Sequence, residues 1–212
     1  MTRTHPLTVL AWLNVGLHVG GLALAAAFIR PGSPLTPLPE RLAYLASAPA
    51  GWALAWGVWA ACAAAMVSFT FVAARLVGSP LARSALAVAV VAAVADLACD
   101  VQYVFSFPKG AFSAGSAAEL FVRVERLTNW ISLTVANGLY SVSTLLLSLA
   151  LRAHPAILAV GTAVFASGML LAAAGVTGVP EHALWATPPT IGLYCLWVLL
   201  VARSLTAERS AP

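Results

Sequence analysis

Asp96 and Asp100 stand one helical turn apart inside the apolar run VAAVADLACDVQYVF. A carboxylate surrounded by hydrocarbon is costly, so each needs a partner or a task. Spaced i,i+4, the two project from one face of a helix. If that helix ends near Phe107, Asp96 lies about 16 Å and Asp100 about 10 Å along its axis from that end. Desolvation and a neighbouring like charge both favour the protonated acid, so one of the pair can be a neutral carboxyl at pH 7. Such a group can carry a proton, bind a cation or act as a general acid. The plain alternative is a pin between two helices.

The next apolar helix carries the complement. Arg126, Asn129, Leu133, Asn137, Ser141, Thr144 and Ser148 recur at steps of three or four residues. A polar stripe of this kind faces protein or water rather than lipid. It is either interhelical glue or one wall of a polar cavity whose other wall is the Asp96/Asp100 face. Arg126 stands at the depth to neutralise Asp100, and Asn129 or Asn137 to donate to Asp96. Tyr103 and Tyr140 are placed to close such a pocket. In an enzyme acting on a lipid or isoprenoid, Trp130, Tyr103, Phe105 and Phe107 would supply aromatic walls that stabilise a developing cation. On the first apolar helix, Asn14 and His18 form another i,i+4 pair at mid-depth. His18 is a proton relay if exposed to the cavity, and a satisfied core histidine otherwise. Gly16-x-x-x-Gly20 on the same helix permits close helix contact.

Several chemistries are excluded or disfavoured. The single lysine, Lys109, falls in a loop, so no retinal Schiff base is possible within a bundle. There is no HxxxH, HExxH or Cys/His cluster, so neither a metal nor a cofactor is expected. Cys62, Cys99 and Cys195 sit in apolar runs without a CxxC and read as buried thiols. No GxSxG, P-loop or dinucleotide fingerprint occurs.

The elements that must hold these residues follow from composition. The 212-residue chain is 61% hydrophobic and 8% charged, against roughly 25% charged in soluble domains. The expected fold is all-α, a polytopic membrane helix bundle forming a single transmembrane domain. Six spans are expected, at about 7–29, 49–77, 81–107, 117–151, 155–175 and 188–205. The first apolar run exceeds a signal-peptide h-region of ~7–15 residues and reads as a retained span. Gly78-Ser79-Pro80 reads as helix stop, N-cap and first helical residue. Ser116 and Glu119 form a capping box for the long fourth helix. Thr187-Pro188 reads as the cap and first turn of the sixth, with Pro180–Trp185 as loop or shallow turn. Glu40–Ser47 suits a short helix in the interface. No internal repeat stands out at periods of 30–50 residues.

The net charge of +4 is spread along the chain, which fits lipid headgroups at helix ends and not nucleic acid. With both termini cytoplasmic, the inner segments carry six basic residues and the outer five, counting Arg3 and Arg209 within. That margin favours a cell-membrane protein with its termini inside.

The leading functional expectation is an acid-lined cavity between spans 3, 4 and 1 that binds or transports a small molecule or lipid, with Asp96 as its proton-responsive group. The rival is a membrane enzyme on a lipid or isoprenoid, with Asp96 or Asp100 as general acid. The third is a non-catalytic subunit whose polar stripe meets another chain.

Overall fold

The computed structural model describes residues 5–110 and 116–207. Arg3, Glu208, Arg209 and the side chain of Ser116, and with it the expected capping box, lie outside the described residues. Those residues form seven helices and no strand. Six are long and apolar enough to cross a membrane: α1 Pro6–Gly32, α3 Pro49–Val77, α4 Pro80–Lys109, α5 Ala118–Ala150, α6 Pro155–Thr177 and α7 Pro180–Ala207. The seventh, α2 Leu38–Ser47, is short and amphipathic and buries Arg41 and Leu45. The chain is an all-α, multi-pass membrane helix bundle.

Local chemistry sets the helix ends. Gly78 and Gly178 take positive φ, at 70° and 65°, and stop α3 and α6. Ser79 caps α4 by accepting from the Ala82 amide at 3.2 Å, with Pro80 in the first turn. The last span differs from its expected form. α7 begins at Pro180 rather than at Thr187, and Pro188 and Pro189 lie inside it. Two prolines remove only two backbone bonds, those to the carbonyls of Leu184 and Trp185, on residues that are exposed. Thr187 is no cap: its hydroxyl donates to the Ala183 carbonyl at 2.7 Å, and Thr190 does the same to Ala186 at 2.8 Å.

The spans close into a ring. Each packs against the span before and after it in the chain, and α7 packs against α1. Polar stitches cross most seams. Asn14 on α1 donates to the Ala65 carbonyl of α3 at 3.0 Å, and Tyr194 on α7 donates to the Asn14 side-chain Oδ1 at 3.0 Å. Ser143 on α5 donates to the Ala85 carbonyl of α4 at 2.8 Å, and Thr134 to the Ala172 carbonyl of α6 at 3.1 Å. In hydrocarbon, helices have no hydrophobic drive toward one another, so packing and such bonds must hold them. Large apolar side chains such as Trp12, Val94, Phe105 and Leu170 point outward, as lipid requires.

Both ends of the ring are filled. At the end where α1 begins and α7 finishes, Leu7, Phe69, Leu147, Trp197 and Val201 belong to one apolar cluster. At the other end Leu45, Trp52, Tyr103, Phe107 and Phe121 form a second, over which α2 lies. Between them is a void.

Candidate functional site

A cavity of about 250 Å³ lies inside the ring, and every one of the six spans contributes to its wall. It is wider in membership than the expected enclosure by spans 3, 4 and 1. α3 adds Trp56, Trp59, Cys62 and Met66, and α7 adds Thr187, Thr190, Ile191 and Tyr194.

The wall of α4 carries Asp96 and Asp100. One turn apart, they meet different surroundings. Asp96 accepts from the Ser132 hydroxyl of α5 at 2.8 Å. The Tyr140 hydroxyl faces Asp96 without closing a bond of ordinary geometry. Asp100 is only 3% exposed, and its Oδ2 has no partner. The Trp56 indole N–H and the Tyr140 hydroxyl, on two other wall residues, are likewise buried and unpaired. Buried polar atoms are nearly always hydrogen-bonded. Three such orphans lie on the wall of one void.

His18 also lines the cavity, packed at 4.9 Å from the Tyr194 ring and edge-on to Trp59 at 6.2 Å. Its Nδ1 lies 2.8 Å from the Asn14 carbonyl. A carbonyl only accepts, so Nδ1 carries the proton and Nε2 is the remaining acceptor. Asn14 is buried behind the wall. Its amide donates to Leu10 and Ala65 carbonyls, at 2.8 and 3.0 Å, while its oxygen takes Tyr194. Asn14 is thus a pin, and His18 is the member of the pair that faces the void.

The polar stripe of α5 divides by function. Asn137, Ser141 and Thr144 line the cavity, as does Ser132, which the stripe omitted. Asn137 donates to the Ser132 carbonyl at 2.9 Å. That carbonyl lies in a π-helical stretch, Ile131–Ala136, where the i→i+4 ladder is lost. Two more π stretches, Ala25–Ile29 in α1 and Gln102–Ser106 in α4, contribute Ala25 and Ile29 to the wall and Tyr103 to the lid above it.

Several expected site residues lie elsewhere. Arg126 does not meet Asp100. It is exposed and lines a shallow outer groove with Glu119 and Arg123. Asn129 accepts from the Tyr103 hydroxyl. Tyr103 is not in the cavity wall. Stacked on Trp56 at 3.7 Å and accepting from Trp52 at 2.6 Å, it belongs to the cluster that closes the far end. Trp130 and Phe105 are exposed on the outside of the ring. The aromatic walls are instead Trp56, Trp59, Tyr140 and Tyr194. A methyl group added at Gly16 or Gly20 would meet no neighbour within 4 Å, whereas one at Gly21 would lie 3.4 Å from the Trp59 ring.

The ring, its cavity and its acids stand without a relative to compare. No known protein family, curated protein or solved structure matches this chain. Function must therefore be argued from the cavity itself.

Sequence reasoning missed one buried pair. Arg41 of α2 donates to Glu125 of α5 at 2.8 Å, both side chains only 6% exposed. The Arg41 guanidinium also lies 5.5 Å from the Phe121 ring. It is the one ion pair among the described residues, and it holds α2 over the far end of the ring. The only signal was amphipathicity of Leu38–Ser47, which places Arg41 on the buried face beside Leu45.

Proposed function

We propose that this chain is a ligand-binding membrane protein whose central cavity takes up a small, largely apolar molecule, either to hold it or to pass it across the bilayer. The observation that carries this reading is the void itself, walled by all six spans and furnished with three unpaired buried polar atoms. A void of ~150 Å³ accepts benzene, so 250 Å³ suits a molecule somewhat larger. A subunit held together by its polar stripe has no need of such a space. Apolar clusters fill both ends of the ring, and transport from one end to the other requires them to part.

Native mass spectrometry of the detergent-solubilised protein tests this with 2-phenylethanol, 2-phenylethylamine and phenylacetate as probes. One-to-one adducts are expected with at least one probe. Ala63→Leu and Thr144→Leu each push a larger side chain into the void and are expected to remove the adducts while leaving a cooperative melt. Folded protein that binds none of the probes would sink the reading.

A further inference from the structure

We infer that the occupant of this cavity is a protonated amine: a primary or secondary ammonium group held at Asp100, carried on an apolar body of about ten non-hydrogen atoms. The inference rests on the binding reading above and names the ligand's class.

Charge comes first. Among the described residues, two carboxyl side chains line the cavity, and no lysine or arginine does. The ion pair of Arg41 and Glu125 lies outside its wall. His18 is the one nitrogen base present, and its Nδ1 is committed to a backbone carbonyl. Acids within a membrane pair with a cation or mark the path of one. Here the wall supplies none, and a cation carried by the occupant fills that place.

Direction comes next. Ser132 already serves Asp96, whereas Asp100 Oδ2 and the Tyr140 hydroxyl wait unpaired. An ammonium group with two or three N–H bonds can donate to the Asp100 carboxylate and keep a proton for a further acceptor of the wall, of which the Tyr140 oxygen is one. An alcohol has one proton to give. A carboxylate ligand has none and is repelled.

The rest of the wall selects the body. Trp56, Trp59, Tyr140 and Tyr194 surround the void, and ring faces attract an ammonium as well as apolar surface. A bare metal ion would leave that surface unfilled, and the described residues hold no group of three or more metal-ligating side chains.

The experiment compares three near-isosteric probes at pH 7 on the purified full chain in detergent: 2-phenylethylamine, 2-phenylethanol and phenylacetate. The amine is expected to bind about tenfold or more tighter than the alcohol, as one charge-assisted bond allows, with phenylacetate weakest. Asp100→Asn is expected to erase the amine's lead while leaving the alcohol's affinity within about twofold. Should Asp100→Asn fail to fold, Tyr140→Phe supplies the same test, weakening the amine by about threefold. Equal affinity for amine and alcohol in the wild type, or an amine lead that survives Asp100→Asn, overturns the ammonium class and leaves the binding reading standing. Silence from all three probes brings both down.

Discussion

Asp100 and Arg41 show how differently two buried charges are treated in one chain. Asp100 is left without a cation, beside a void. Arg41 is given Glu125 at 2.8 Å and the face of Phe121. A void is tolerable only where something can fill it, while a structural charge must be matched within the chain. That Asp96 and Asp100 would face a cavity or a partner was legible because hydrocarbon tolerates an i,i+4 pair of acids only there, and both line the cavity. Arg126 was not legible as a bystander. Depth along the helix put it level with Asp100, but its azimuth turns it outward. Arg41 was invisible for a different reason: its partner lies 84 residues away, and only the folding of α2 over α5 brings the two together. Removing one member of a buried pair strands the other, at a cost of roughly 3–5 kcal/mol, whereas replacing both with apolar groups can be neutral. Arg41→Met is therefore expected to lower the melting temperature in detergent, and Arg41→Met/Glu125→Met to recover most of it. A single mutant that melts like wild type would show that the pair does not hold α2.

At the scale of elements, α5 and α6 meet through a repeat of seven. Gly161, Gly168 and Gly175 of α6 face Ser148, Ser141 and Thr134 of α5. At each of these glycines a methyl group would overlap the facing hydroxyl. Close backbone approach is what holds apolar helices together in lipid, and these three facing pairs are small against small. The hydroxyls are not idle in this seam. Thr134 donates to Ala172 at 3.1 Å, and Ser148 accepts from Trp197 at 2.8 Å. The spacing was present in the sequence on both helices, but a search for repeats of 30–50 residues passes over one of seven. The π stretches and the in-helix prolines of α7 were harder to read. A π turn depends on which carbonyls the neighbouring helices leave unpaired, and Thr187-Pro188 serves as well inside a helix as at its start. Gly168→Ala is expected to destabilise the protein by about 1–3 kcal/mol through overpacking. Adding Ser141→Gly opposite removes the clash and is expected to restore at least half of that loss, a coupling that a double-mutant cycle measures directly. Additive losses would place the two residues out of contact.

Across the whole molecule, the closed ring follows from serial packing. Short connections make consecutive spans neighbours, and the bond from Tyr194 to Asn14 fastens the last to the first. A ring of six leaves a centre that side chains fill at both ends and not in the middle. Composition disclosed the six spans, but not that they would close, because closure depends on which faces are small and which polar atoms find each other. Six spans put both termini on one side. We propose that this side is the cytoplasm, on the six-to-five balance of basic residues. The cluster built from Leu45 of α2, Trp52, Tyr103 and Phe107 then faces outward. Reporter fusions that are active on one side of the membrane decide the matter. Fusions at the two termini are expected to report the cytoplasm, and a fusion within residues 111–115, between α4 and α5, the opposite side. Both termini outside would turn that cluster to the cytoplasmic face, while leaving the ring intact. Termini on opposite sides would mean that one of the six helices does not cross, and the ring itself would fall.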